Sequence, residues 1–283
     1  MAINGRTDMA SELHRRICDS ERVTELPGVL AREEELGGFP VTEVRILDRR
    51  GEERLGKTAG HYLTLELPKG PLSSVFADAA RALAQLIRRC LPSAFETVLL
   101  VALGNPDITP DAIGPLCAGH LLVTRHLKHH QIPGAEALCS TSLCRPGVLG
   151  SSGIESAAQI CALCELLRPD LVIAVDALAG SDLDLLCRTV QICDTGISPG
   201  SGVGNARDAI DRESLGLPVI AVGVPTVIDA SALSNEPELA GMFVTPRSID
   251  AQVRACGKLI GYGIDLALHP GLRLEDLQLI LDG

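Results

Sequence analysis

The chain has 283 residues, 46% of them hydrophobic and 22% charged, with a formal net charge of -11. That balance fits a globular protein of one large or two small domains and argues against a nucleic-acid partner, since a duplex binder needs a positive footprint. Aromatic residues make up only 2%, with no Trp, so the core falls to Leu, Val, Ile and Ala and stacking platforms for single strands are lacking.

No secretory leader pattern opens the chain, and no apolar stretch is long enough to span a bilayer, so the expectation is a cytoplasmic protein with no membrane partner. The first twenty residues are polar and contain "GRTDMASELHRR". Residues 41–47 and 61–67 alternate apolar and polar, as half-buried strands do, and the charged, Gly-rich link between them predicts an antiparallel pair with a long turn. Residues 72–91 place Val75, Ala79, Leu83, Leu86 and Ile87 on one helical face, with Arg88 and Arg89 at the C-terminal end. The apolar run at 97–103 predicts a strand covered on both faces, followed by a helix from about Asp111 to His130. A second helix is predicted over 152–167, with Ile154, Ala158, Cys161, Cys164 and Leu167 in register and Ser152 as N-cap. Strands follow at 171–175, 189–193 and 218–224, then helices near 247–267 and 273–281.

Strands alternating with helices predict an α/β fold: a mostly parallel, doubly wound sheet with helices on both faces, plus the N-terminal antiparallel pair. In such sheets ligands sit beyond the carboxyl ends of the strands. Asp111, Asp176 and Asp194 each follow a predicted strand, so the three are expected at one edge. A lone Asp there caps a helix or turn, whereas converging carboxylates can share a proton, one taking a proton from water and the other giving one to a leaving amine. The loop "ISPGSGVGN" (197–205) follows Asp194, and its backbone amides, about Gly202, Gly204 and Asn205, are candidates to cradle an anion.

Other patterns read as structural. Ten Cys sit mostly among apolar residues, as free thiols of a cytosolic chain do, and the Cys161–Cys164 pair falls within a helix pattern with no second pair to complete a zinc site. Gly196–Gly200 matches G-x-S-x-G, but Pro199 and Gly200 oppose the helix a nucleophilic Ser198 would need. His126, His129 and His130 complement a helix C-terminus, and no H-E-x-x-H is present.

Longer motifs carry a resemblance. "RTDMA", "GKTAGHYLTLE", "GNPDITPDAIGP", "RPGVLGSSGIES", "VDALAG", "DTGISPGSGVGN" and "LPVIAVGVPTVIDA" together resemble the germination proteases of spore-forming bacteria, a family similar in fold to the hydrogenase maturation peptidases. The resemblance spans nearly the whole chain. It implies an atypical aspartic-type endopeptidase that is made as a zymogen, assembles as a homotetramer, works in the forespore and spore core, and degrades small acid-soluble spore proteins. It also implies Asp111 and Asp176 as the two catalytic carboxylates, no cofactor or metal, and cleavage after an acidic residue that precedes a hydrophobic residue and Ala. Thr7-Asp8-Met9-Ala10 presents that pattern in the chain itself, so residues 1–8 are expected to be a short propeptide on a single peptidase domain of residues 9–283. Self-cleavage between Asp8 and Met9 is expected in a segment that is exposed and mobile, with few contacts. Three rival readings remain: a metal-dependent peptidase using the same two Asp, a peptidyl-tRNA hydrolase-like enzyme suggested by "VALGNP", and a non-catalytic binder using the 197–205 loop.

Overall fold

The chain is described here by a computed structural model that covers residues 6–205, 207–233, 239 and 241–282. Helix α1 (Ala10–Glu21) precedes a hairpin of β1 (Val29–Leu36) and β2 (Phe39–Ile46). Gly37 and Gly38, at φ 62° and 86°, make the two-residue turn whose twist matches the flanking strands. The link expected as a long turn holds a helix instead, α2 (Arg49–Leu55). Asp48 caps it, accepting from the Arg50 and Gly51 amides at 2.9 and 3.1 Å. Next come β3 (Gly60–Glu66), α3 (Phe76–Cys90) and β4 (Thr97–Ala102).

The single helix expected from Asp111 to His130 is broken into α4 (Ile113–Cys117) and α5 (Arg125–His129), with 3₁₀ turns at Thr109–Asp111 and Ala118–His120. Residues 121–124 leave the helical path because better partners take their amides. Leu122 donates to the buried Asp265 carboxylate at 2.9 Å, and Thr124 donates to the Thr141 carbonyl at 3.2 Å. After β5 (Ser140–Cys144) comes a short α6 (Leu149–Ser152), and the helix predicted over 152–167 is present as α7 (Ser156–Leu167), starting four residues later. Gly153, at φ 71°, ends α6, so Ser152 closes one helix rather than capping the next, and Ile154 is 53% exposed. The remaining elements are β6 (Leu171–Gly180), β7 (Thr189–Cys193), α8 (Arg212–Leu215), β8 (Val219–Asp229), β9 (Phe243–Val244), α9 (Ile249–Leu268) and α10 (Leu274–Leu281).

The strands form one sheet in the order β1-β2-β3-β7-β8-β6-β4-β5, with β9 on the far end of β8. One half of it, β8-β6-β4-β5, is parallel, as the α/β pattern predicts. The expected β2–β3 pair is antiparallel, and it sits in a wider antiparallel wing because β7 pairs antiparallel with both β3 and β8. The outer strand β1 exposes Arg32, Glu33 and Glu35, charges that discourage edge-to-edge association.

Side-chain alternation divides two layers. Leu63, Leu100, Ile173, Val175, Val222 and Val224 face α3, α4, α9 and α10 in the main core. The other face is shared: α1 covers Val44, Ile46, Tyr62 and Ala221, while α7 covers Leu99, Val101, Val172 and Ala174. The ten cysteines are all free, and Cys164 points into the α7 layer while Cys161 is half-buried.

Candidate active site

Asp111 is placed by the loop before it. Leu103 extends β4 by one bond, donating to the Val175 carbonyl at 2.9 Å. Gly104 then turns at φ 106°, where a Cβ would also overlap the Asp111 carbonyl. The Asn105 side chain accepts from the Asp107 amide at 3.0 Å, a local turn that brings the chain back on itself. Thr109 anchors the return by donating to Asp250 of α9 at 3.0 Å. The Asp111 carboxylate then accepts from the Asn105 amide at 2.8 Å. It does not cap α4, whose N-cap is Ala112 with no side-chain bond. Gly114 lets α4 sit against the strand ends, since a Cβ there would overlap the Leu103 carbonyl and lie 2.8 Å from that of Val175.

Asp176 does not follow its strand, as expected, but lies within it, because the long β8 continues pairing as far as Gly180. It is only 4% exposed, and its carboxylate accepts from the Ala177 amide at 2.9 Å. Asp176 is level with Gly223 of β8, which is level with Gln191 of β7. Paired positions share a face, so the Asp176 and Gln191 side chains flank a glycine on the face away from α9. Burial pushes Asp176 well above the usual carboxylate range, the Asp111 charge pushes it further, and Asp8 adds to the rise. Burial also raises Asp111, and the Asn105 amide partly offsets that rise.

Asp194 does not join them. Because β7 is antiparallel to β8, its C-terminal end points away from the carboxyl ends of β4 and β6. Asp194 is exposed and accepts from the His61 amide at 2.8 Å, pinning β3 to β7.

Asp111, Asp176 and Gln191 line a cleft of about 1100 Å³ whose far wall is the 197–205 loop. The N-terminal segment lies in it, contrary to the expectation of an exposed, mobile tail with few contacts. Residues 1–5 of the expected propeptide fall outside the described residues. Met9 and Ala10 are fully buried. Asp8 donates its amide to the Ala179 carbonyl at 2.9 Å, while the Ala179 amide donates back to the Asp8 carboxylate at 2.9 Å. The other Asp8 oxygen accepts from the Ser201 hydroxyl at 2.9 Å. Gln191 grips both sides of the Asp8–Met9 peptide: its Nε2 donates to the Asp8 carbonyl at 3.2 Å, and its Oε1 accepts from the Ala10 amide at 2.7 Å. Thr7 donates to the buried Glu12 at 2.6 Å, and Arg6 lies against Gly204. Gly202 and Asn205 line the cleft, Gly202 directly under the Asp8 carboxylate. Gln191 escapes a reading by strand ends because it sits inside a strand; its polarity in the middle of an otherwise apolar "TVQIC" is the legible signal.

Among the described residues no three His, Cys, Asp or Glu side chains are grouped to hold a metal ion, and no His lines the cleft. Nor is any helix long and apolar enough to cross a membrane.

A sequence model of the germination proteases matches residues 2–238. The chain belongs to the germination protease family. It is 38% identical to the germination protease of Caldanaerobacter subterraneus subsp. tengcongensis, over 98% of this chain and 98% of that one. It is also 38% identical to that of Clostridium perfringens, with 99% of each covered. Among solved structures, the [NiFe] hydrogenase maturation protease HycI from Thermococcus kodakarensis KOD1 aligns with a TM-score of 0.35 at 18% identity, over 63% of this chain and 98% of that one, a likeness too loose to carry an argument. The family makes the chain an endopeptidase of spore germination.

Proposed function

We propose that this germination protease cleaves small acid-soluble spore proteins after an acidic residue that precedes a hydrophobic residue and Ala, using Asp111 and Asp176 as a water-activating pair. The observation that carries the reading is the chain's own Thr7-Asp8-Met9-Ala10, seated in the cleft with the Asp8–Met9 peptide held by Gln191. Asp176 is the more strongly biased toward its protonated form, so it serves as the acid, and Asp111, steadied by the Asn105 amide, serves as the base. Asp111 takes a proton from water as the water oxygen bonds to the carbonyl carbon. Asp176 gives its proton to the departing amide nitrogen as the C–N bond breaks, and the proton gained by Asp111 restores the pair. The same step on the Asp8–Met9 bond would remove residues 1–8 as a propeptide from a single domain of residues 9–283 and convert a zymogen into the mature enzyme. Homotetramer formation and a place in the spore core belong to the same reading.

The test is cleavage of a spore-protein peptide bearing the Asp-Met-Ala pattern, read by mass spectrometry with wild type, Asp111→Asn and Asp176→Asn. Cleavage between Asp and Met by wild type alone is the expected result. Equal cleavage by either variant would remove that carboxylate from the mechanism.

A further inference from the structure

Cleavage after an acidic residue requires a part of the protein that demands one. We infer that Ser201 and the Ala179 amide form the seat that selects an acidic side chain on the N-terminal side of the cut, with Gly202 as its floor and Gln191 as the positioning residue that sets the peptide's register. The inference rests on the proposed protease function and on the way Asp8 is bound.

Both groups of the seat donate to the side chain. Ser201 Oγ donates to one Asp8 oxygen and the Ala179 amide to the other, both at 2.9 Å. A carboxylate accepts both as charge-assisted bonds, roughly twice as strong as neutral ones. A carboxamide keeps only neutral bonds, its oxygen toward the Ala179 amide and its NH2 toward the Ser201 hydroxyl, which can also accept. The floor is equally specific. A Cβ on Gly202 would overlap one Asp8 carboxylate oxygen and come within 2.6 Å of the Ala179 Cβ, so only glycine leaves room for the acid. Gln191 acts differently. One side-chain amide bonds the carbonyl before the cut and the amide of the second residue after it, which fixes the peptide along the cleft. Gln191 and Asp176 flank Gly223 on one face of the sheet, so the bond it grips lies on the face that carries the acid of the pair.

The experiment compares kcat/KM for peptides with the sequence Arg-Thr-Asp-Met-Ala-Ser-Glu and for the same peptide with Asn in place of Asp, using the full chain after incubation at mildly acidic pH. Wild type should prefer Asp. Ser201→Ala should cut the Asp-over-Asn ratio by roughly 5- to 10-fold, the difference between one hydrogen bond to a charged group and one to a neutral group. Ser201→Thr, which keeps the hydroxyl, should restore it, and the ratio for Met against Leu after the cut should not move. Gly202→Ala should raise KM for the Asp peptide most. Gln191→Leu should lower kcat on Asp and Asn peptides alike. A Ser201→Ala enzyme with the wild-type ratio would overturn the seat. Failure of wild type to cut either peptide would instead overturn the protease reading. The seat is then read without activity, from a thermal double-mutant cycle of Asp8→Asn and Ser201→Ala: non-additive melting shifts support it, and additive shifts overturn it.

Discussion

At the scale of single residues, the two carboxylates carry opposite demands. In the proposed mechanism one is ionised and the other protonated, and burial of Asp176 beside the Asp111 charge favours that division. Asp111→Asn and Asp176→Asn should each lower kcat by roughly 10²- to 10⁴-fold or more, the usual loss of a general acid or base, measured on a peptide with Asp-Met-Ala. Activity should survive exhaustive chelation, with no divalent ion required to restore it. The rate should rise with pH through the raised Asp111 value, above the ordinary carboxylate range, and fall again as Asp176 loses its proton. Stability should respond in the reverse sense to catalysis. Since the folded-state pKa of Asp176 lies above its unfolded value, the folded protein holds a proton that the unfolded chain has already released, and stability declines as pH climbs between the two values. Asp176→Asn should therefore melt higher than wild type at neutral pH and lose that advantage below the ordinary Asp range, as read by calorimetry across pH. Asp111 was legible as an acid beyond the end of β4, whereas Asp176, read as following its strand, lies within β6. Asp194 was not correctly legible, because a period-2 pattern does not report whether a strand runs parallel or antiparallel to its neighbour. The seat for Asp8 was hidden as well: it joins residues 8, 179, 191 and 201, and only the folded chain brings them together.

At the scale of elements, long periodic segments were readable and their interruptions were not. The α3 pattern and the buried β4 and β6 runs stand close to where the residues place them. The break that splits 111–130 comes from competition for backbone amides by Asp265 and Thr141, and the late start of the 152–167 helix comes from a left-handed Gly153 that ends α6. The hairpin of β1 and β2 was signalled by Gly37-Gly38 between Leu36 and Phe39, but β1 is too charged to show the alternation of a half-buried strand. The short α4 is the element on which the site depends most. Gly114→Ala would drive a methyl group into the backbone of Leu103 and Val175, so it should destabilise the fold by about 1–3 kcal/mol, with the loss visible in urea unfolding. The same change shifts the loop that carries Asp111, so activity should fall further than the lost folded fraction explains.

At the scale of the whole molecule, the N-terminal segment is the part most altered by the proposed chemistry. Intact mass of the full chain after incubation at mildly acidic pH should show loss of residues 1–8 and a new Met9 terminus, and Asp176→Asn should keep its original terminus under the same conditions. Met9 and Ala10 are buried before any cut, so the new terminus starts life inside the protein, next to Gln191. The other end of the cut deserves equal notice in electrical terms. Asp8 already brings one negative charge to the cleft, and hydrolysis turns its neutral carbonyl, held by Gln191, into a second. The last residue of the departing piece then turns two negative charges toward Asp111 and Asp176, and repulsion works to eject it. A cleaved peptide ending in Arg-Thr-Asp should thus be a weak inhibitor that weakens further as pH rises, whereas its C-terminal amide, which lacks the added charge, should bind more tightly and change less with pH.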